Sequence, residues 1–389
     1  MFCSKCGREI PEKSKFCPYC GAELAYEVKG TVQKKGGKPK KIIIPVIIIV
    51  GILICVLAFF KVIKPGAGLS VRREKLVTLI PYRAGDKWGY CDWNKKLVIK
   101  PTYDDARPFE EGLAAVLLKN KWGFIDKKGK MVIEPIYGHA GWFTEGLAPV
   151  ELSGKWGFID KKGKMVIEPI YDNAWLFKEG LARVSLNKKY GFINKKGKMV
   201  IEPIYDDTFW FTEGLAPVEL SGKWGFIDKK GKMVIEPIYD KTWFFKEGLA
   251  VVSLNDKYGF INKKGKMVIE PIYDRACSFA DGQAPIKLNG RWGFIDRKGK
   301  FIIQPTYESP DISVLEGFVE GLAMFVVFVD VEYKERYKYY NSGFIDKSWK
   351  IVIPPVYNVA LSFSGGISEV FFRGKRGYID KKGTQYWED

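Results

Sequence analysis

Four cysteines near the N-terminus have the spacing of a metal site. They form two C-x2-C pairs separated by ten residues, and a glycine follows each pair; the four are Cys3, Cys6, Cys17 and Cys20. Two intervening residues let both thiolates of a pair reach one tetrahedral ion. Four thiolates without histidine favour a closed, structural zinc site over a pair of disulfides or an iron site. Residues 1–24 are too few to fold on apolar burial alone, so Zn²⁺ would supply their folding free energy.

Groups that could support catalysis are sparse. The chain has one histidine, His139, and no glycine-rich phosphate loop follows a strand. Carboxylates equivalent to Asp160 and Glu168 recur along the chain, whereas a catalytic carboxylate needs one unusual environment. We therefore expect no enzyme. Two further cysteines, Cys91 and Cys277, occupy different positions in the repeats described below, so the sequence gives no reason to pair them.

Aromatic residues in a variable segment are the candidates for ligand binding. Trp142, Trp175, Trp210 and Trp243 lie in a short segment that differs between otherwise nearly identical stretches of the chain. We call this segment the window. A variable, aromatic segment on a fixed scaffold is typical of a recognition surface. The alternative is that the bulky side chains adjust the packing between neighbouring units, and the sequence leaves both interpretations open.

The window belongs to a 34-residue repeat marked by Trp-Gly or a close variant. The dipeptide begins at residues 88, 122, 156, 190, 224, 258 and 292 and then, after 16 extra residues, at residues 342 and 376. A fixed period of this length indicates one supersecondary unit that buries its apolar face against its neighbours. The nine repeats therefore predict an all-β tandem array of β-meander units, and a propeller is favoured narrowly over a β-solenoid. About five extra residues enter the eighth window, and about eleven extend a hairpin near Asp330–Tyr340.

One unit predicts three strands and a short fourth. The strands are residues 147–152, 156–160 and 165–171, and residues 172–177 follow as the possible fourth. Alternation along the first strand predicts one buried face, formed by Ala148, Val150 and Leu152. Its Gly-Leu-Ala opening suits the innermost strand of a propeller. Pro169 lacks a ladder donor and places the third strand near an edge or at a bend.

A transmembrane helix is predicted between the cysteines and the repeats. Ile42 to Phe60 is a run of 19 residues without charge, long enough as a helix to cross a bilayer. Its length, and the metal module before it, argue against a signal peptide. Lysines crowd its N-terminal side. The positive-inside rule therefore places the N-terminus in the cytoplasm and the repeats outside it, and four free thiolates also favour the reducing side.

The repeats resemble the WG-containing (KWG) repeat family of bacterial proteins. Lys-Trp-Gly-Phe-Ile-Asp and the following Gly-Lys-x-Val-Ile-x-Pro-x-Tyr carry the resemblance over residues 76–389. The cysteine segment resembles the N-terminal zinc-ribbon of many prokaryotic membrane proteins. The family resemblance implies little about activity, although the repeats look somewhat like cell-wall-binding repeats. The predicted domains are a zinc-ribbon (1–24), a basic tether (25–41), a transmembrane helix (42–63), a linker (64–75) and the array (76–389).

These features lead to two hypotheses about function. The first is a single-pass membrane protein whose external repeats bind a cell-envelope polymer, a glycan or a protein. The second is a transmembrane signalling component whose zinc-ribbon docks a cytoplasmic partner. Nucleic acid is an unlikely ligand of the ribbon, because acidic residues partly balance its basic ones. The net charge of +18 would attract anionic surfaces, although lysines spread over turns are also typical of a solvated surface.

Overall fold

The computed structural model describes residues 79–308, 312–314, 318–329, 339–348 and 350–388. The predicted zinc site, basic tether, transmembrane helix and linker lie outside these residues. None of the described residues forms a helix that is long and apolar enough to cross a membrane.

The described residues form 35 strands in nine antiparallel meander sheets, which we call blades. Blade 1 contains β1, β2 and β3, and the C-terminal β35 pairs with β1; the bounds are Ile80–Ala84, Lys87–Cys91, Leu97–Tyr103 and Trp387–Glu388. Blade 2 runs from β4 to β7, at Asp105–Ala106, Leu113–Leu118, Lys121–Asp126 and Met131–Tyr137. Blade 3 runs from β8 to β11, at His139–Ala140, Leu147–Leu152, Lys155–Asp160 and Met165–Tyr171.

Blades 4 to 6 repeat this pattern. Blade 4 holds β12 to β15, at Asn173–Lys178, Leu181–Leu186, Lys189–Asn194 and Met199–Tyr205. Blade 5 holds β16 to β19, at Asp207–Thr208, Leu215–Leu220, Lys223–Asp228 and Met233–Tyr239. Blade 6 holds β20 to β23, at Lys241–Thr242, Leu249–Leu254, Lys257–Asn262 and Met267–Tyr273.

Blades 7 to 9 complete the array. Blade 7 holds β24 to β27, at Arg275–Ala276, Gln283–Leu288, Arg291–Asp296 and Phe301–Glu308. Blade 8 holds β28 to β31, at Ile312–Val314, Leu322–Val329, Tyr339–Asp346 and Ile351–Tyr357. Its central strands have eight residues instead of six, as the predicted hairpin extension requires. Blade 9 holds β32 to β34, at Val359–Ala360, Ile367–Phe372 and Lys375–Asp380.

The short fourth strand belongs to a different sheet from the one expected. Residues 147–152 and 165–171 form strands as predicted, and the second strand starts one residue earlier, at Lys155. The short strand after Tyr171, however, pairs with β13 and opens the next blade. The Gly-Leu-Ala strand is therefore second in its sheet, and its prediction as the innermost strand was wrong. A strand that pairs over as few as two residues leaves too little sequence pattern to show which neighbour it joins.

Each blade is buried on both faces. Ala148 and Val150 of blade 3 pack with Phe124 and Tyr137 of blade 2. On the other face, Leu147 packs with residues of blade 4. The prediction of one buried face was therefore incomplete, because both neighbouring sheets cover the strand. This packing through successive blades is that of a propeller.

The glycine of Trp-Gly lies under a bulge of the outer strand. Trp156 pairs with Tyr171 and Phe158 with Ile167, so Gly157 faces the three residues between, including Pro169. A Cβ atom on Gly157 would lie 2.4 Å from the carbonyl oxygen of Ile167. Only glycine allows this close approach. The proline lies both at the bend and in the edge strand, as expected.

Neighbouring blades are linked through a repeated Glu-Gly turn. Glu145 and Gly146 have φ of 52° and 90° and connect Thr144 to Leu147 in a two-residue turn. The Glu145 carboxylate accepts hydrogen bonds from the Gly180 amide at 3.1 Å and from Lys195 Nζ at 3.0 Å. Contacts to the next blade thus offset the strain of a positive φ at a non-glycine residue.

An aspartate after the outer strand forms a second link. The Asp172 carboxylate accepts hydrogen bonds from Lys155 Nζ of blade 3 at 2.7 Å and from the Asn187 amide of blade 4 at 2.7 Å. These hydrogen bonds, with that to Lys155 the strongest cause, lower the pKa of the Asp172 carboxyl. The same arrangement recurs at Asp104, Asp206, Asp240 and Asp274.

The C-terminal segment closes the ring. β35 pairs in parallel with β1 through Arg83–Trp387 and Ala84–Glu388. Trp88 of blade 1 meets Tyr378 of blade 9 edge to face, with ring centroids 6.0 Å apart. Among the described residues the array is therefore a nine-bladed propeller, in agreement with the favoured prediction and not with an open solenoid.

Candidate functional site

The window lies between two fixed points of each blade. In blade 3, the short strand pairs His139 with Glu151 and Ala140 with Val150, and Phe143 follows three residues after Ala140. Phe143 is buried against Phe124 of the preceding blade, with ring centroids 4.9 Å apart. The two window residues between these anchors are therefore displayed from a rigid frame. In blades 3 to 6 they are residues 141–142, 175–176, 209–210 and 243–244.

Three of the four predicted tryptophans are substantially exposed. The exposed fractions are 39% for Trp142, 39% for Trp210 and 41% for Trp243, whereas Trp175 is half-buried. The rings are therefore neither core residues nor free of packing. Each has part of its surface open to solvent and part held by a neighbour, which is how a preformed aromatic contact surface is built. The role of these four residues in ligand binding stays a prediction.

The first window position packs on the aromatic residue of Trp-Gly. Trp175 lies against Tyr190, with ring centroids 5.8 Å apart, and Trp243 lies against Tyr258 at 6.2 Å. Phe209 stacks on Trp224 at 5.4 Å. In each pair both residues belong to the same blade, so these contacts fix one side of the window ring on its own blade.

The second window position connects neighbouring blades. Trp210 of blade 5 and Phe244 of blade 6 have ring centroids 5.6 Å apart and a tilt of 34°. Equivalent side chains of successive blades meet here, whereas Ile170 and Ile204 of the opposite edge strands are each 56% exposed. We infer that the window lies at the inner edge of the blades, where the units converge.

Basic side chains lie among the aromatic rings. Lys178 Nζ lies 5.2 Å from the Trp210 centroid and 5.9 Å from that of Phe244. In blade 2, the Arg107 guanidinium lies 5.8 Å from the Trp142 centroid. Such cation–π contacts hold the rings in place and give the surface positive charge.

A second cationic group is enclosed on blade 4. The Arg183 guanidinium lies 4.0 Å from the Trp175 centroid and 4.2 Å from that of Tyr190. Its Nη2 donates to Asp207 of blade 5 at 3.0 Å, and its buried Nε has no hydrogen-bond partner. Sequence reasoning missed Arg183 and Lys178, because their ring contacts join residues of different strands or blades. The available signal for Arg183 was an arginine where the neighbouring repeats have Pro149 and Pro217.

A small cavity lies at the seam between blades 9 and 1, where the first strand of blade 2 also reaches it. Its volume is about 310 Å³, and it is lined by Arg83, Asp86, Trp88, Asp104, Asp105, Lys375 and Arg376. Asp104 is paired with Lys87, and Asp105 with Arg376. Burial raises the pKa of the Asp105 carboxyl, against the opposing effect of Arg376. Because its acids are paired with basic residues, we assign this cluster a structural role.

The single histidine lies beside the window. His139 is exposed, and its ring is stacked on Trp156 with centroids 6.2 Å apart. Cys91 is buried and Cys277 is half-buried, and neither forms a disulfide.

Comparison with protein families gives two matches. A model for the WG containing repeat matches residues 88–122, 122–156, 156–190, 190–224, 224–258, 258–292, 292–327 and 343–375. A model for the zinc-ribbon domain matches residues 2–24. A search of curated protein sequences gave no significant match.

Solved structures align with this chain at low sequence identity. A eukaryotic initiation factor aligns with a TM-score of 0.54 at 13% identity, covering 79% of this chain and 94% of the other. An uncharacterized protein from Listeria monocytogenes gives 0.41 at 11% identity, covering 64% and 93%. The WD40 domain of SCAP from fission yeast gives 0.35 at 9% identity, covering 79% and 96%. Of these three, the first exceeds a TM-score of 0.5, and it shows the fold alone.

Proposed function

Because this chain belongs to the WG containing repeat family and its repeats form a nine-bladed propeller, we propose that it is a non-enzymatic binding protein of the cell envelope. Its window would bind an envelope polymer, a glycan or a protein. Of these, a glycan chain suits the window best.

The observation that carries the proposal is the set of partly exposed aromatic rings. Trp142, Trp210 and Trp243 are each about 40% exposed and are held on blades 3, 5 and 6. Flat, pre-positioned aromatic faces bind sugar rings or apolar groups at low entropic cost. A polymer that spans several blades would also gain avidity from repeated contacts.

A binding role also agrees with how the repeated carboxylates are used. Asp172 and its equivalents join blades through lysines and backbone amides, and Glu145 and its equivalents do the same through the Glu-Gly turn. These recurring acids are thus engaged in the frame of the propeller. We propose that the array acts as a scaffold and carries out no reaction.

The location of the protein is proposed from the sequence. Residues 42–63 would anchor it in the membrane, with residues 1–24 in the cytoplasm and the propeller outside. The zinc-ribbon match agrees with Zn²⁺ bound by Cys3, Cys6, Cys17 and Cys20. A closed four-thiolate site would have a structural role.

Replacing Trp175, Trp210 and Trp243 together with alanine should abolish binding of the full-length protein to purified envelope glycan. The cost in stability should be below the ~3–5 kcal/mol of a buried aromatic at each site, because two of the rings are about 40% exposed. Sedimentation with the glycan and thermal melting, both in detergent, measure the two effects.

The contrast is the single variant Trp156→Ala, because the first window residue of its blade is Gly141 and has no ring to stack on Trp156. This half-buried ring packs against the blade core, so its loss should lower the melting temperature while the folded protein still binds. Undiminished binding by the folded triple variant would contradict the role of the window.

A further inference from the structure

We infer that the part of the window between blades 4 and 6 holds a subsite for an acidic sugar unit. The sugar would lie against Trp210 and Phe244, and its carboxylate or phosphate group would pair with Lys178. This inference rests on the proposed function and narrows its ligand to an anionic glycan.

The two rings form a platform wider than one side chain. Their centroids are 5.6 Å apart, and their planes differ by 34°. Trp210 is 39% exposed, and Phe244 is half-buried beside it. Lys178 Nζ lies within 6 Å of both centroids, at 5.2 and 5.9 Å. A sugar ring on this platform would therefore bring its substituents close to an ammonium group.

Among the described residues Lys178 forms no ion pair, and the carboxylate that acts on its charge is that of the adjacent Glu179. The Glu179 carboxylate accepts a hydrogen bond from the Gly214 amide at 3.0 Å and forms an ion pair with Lys229 Nζ at 2.9 Å. The frame of the propeller thus uses this acid. By contrast, lysines such as Lys155 and Lys195 are paired with acids of the array. A bound anion would supply the missing partner.

Partial desolvation of the Lys178 ammonium also favours an anionic ligand. Burial among its neighbours lowers the pKa of the Lys178 ammonium, and Glu179 opposes this shift. An ammonium group that has lost part of its hydration gains more from a ligand anion than a fully solvated one does. The geometry and the charge therefore favour an anionic group at this position over a neutral hydroxyl.

The subsite is a feature of one position in the ring. Thr144 and Thr212 occupy the equivalent place in blades 3 and 5. Blade 6 has a lysine there, Lys246. In the blade that follows it, however, Ser278 occupies the position that Trp210 occupies in blade 5. Lys246 therefore offers the same charge without the aromatic platform, and it is a matched control.

The experiment measures binding of full-length protein, in detergent, to three probes. They are polygalacturonate, a phosphomannan and a neutral β-glucan. Lys178→Met should weaken binding of an acidic probe by about tenfold, the size expected for one charge-assisted contact, and leave binding of the neutral probe unchanged. Lys178→Arg should retain binding, and Lys246→Met should match the wild type. Added salt should weaken binding of the acidic probes and leave binding of the neutral probe unchanged.

The outcomes separate the two proposals. Tighter binding of polygalacturonate identifies a carboxylate ligand, and tighter binding of the phosphomannan identifies a phosphate ligand. Equal effects of Lys178→Met and Lys246→Met, or equal binding of neutral and acidic probes by the wild type, would overturn the acidic subsite and leave the binding function intact. A wild type that binds none of the three probes would overturn both.

Discussion

Replacing Gly157 with alanine is expected to lower the free energy of unfolding by about 3 kcal/mol or more, in the range typical of severe backbone clashes. The new Cβ would lie 2.4 Å from the Ile167 carbonyl oxygen, 2.8 Å from the Pro169 nitrogen and 2.9 Å from the Glu168 carbonyl carbon. All three are backbone atoms of one bulge, so no side-chain rotation relieves the contact. Thermal and denaturant unfolding of the full-length protein measure the loss.

Gly154→Ala in the adjacent hairpin is the matched control. Gly154 has φ of +80°, and a Cβ there would meet nothing within 4 Å. Its replacement should cost only the strain of a positive φ, about 1–2 kcal/mol. Equal losses in the two variants would show that conformational strain, and not the close approach of the outer strand, explains the glycine of Trp-Gly.

Replacing Arg376 with alanine is expected to weaken the closure of the ring. Arg376 Nη2 donates to the Asp105 carboxylate and, at 2.9 Å, to the Ala106 carbonyl. Its guanidinium lies 4.6 Å from the Trp88 centroid. The substitution leaves a partly buried Asp105 without its counter-ion, which should cost about 2–3 kcal/mol, below the figure for full burial. Hydrogen exchange should rise in β1 and β35.

Arg183→Ala tests whether this effect belongs to the seam. Arg183 has a similar environment, with two aromatic rings and Asp207, but it joins the consecutive blades 4 and 5. A comparable loss of stability is expected there, with no change of exchange in β1 and β35. If Arg376→Ala leaves exchange at the seam unaltered, the ring is held closed by β35 and packing alone.

The repeat pattern was sufficient to predict the long strands and their hairpins. Residues 147–152 alternate in character and end at Ser153-Gly154, a turn with one strong structural solution. Pro169 correctly indicated an edge strand with a bend. These features are local, so they can be predicted from one unit without knowing how the units are arranged.

Features that depend on neighbouring blades were missed or incomplete. The second buried face of 147–152 exists because a third sheet covers it. The short strand was assigned to the wrong sheet, since its two ladder pairs in most blades carry no periodic signal. Arg376 stands where most repeats have the aromatic residue of Trp-Gly, and the sequence did not show that it contacts Asp105, 271 residues away. Lys178 likewise meets Trp210 only once the blades converge.

The four window tryptophans were found because duplicated units differed there. Near-identity elsewhere made the variable positions visible. Variation alone could not separate recognition from packing, and in the structure each ring is partly packed and partly exposed. Trp175 is the most enclosed of the four, while Trp243 is 41% exposed.

Oxidative footprinting of tryptophan in the presence of a phosphomannan or polygalacturonate tests the central claim most directly. Trp93 is the internal reference, because it is 40% exposed and packs in blade 1 against Tyr386, outside the window. The account predicts that bound polymer protects Trp210 and Trp243 from oxidation and leaves Trp93 unprotected. Bound polymer that protects Trp93, or that leaves Trp210 and Trp243 as reactive as in the free protein, would contradict it.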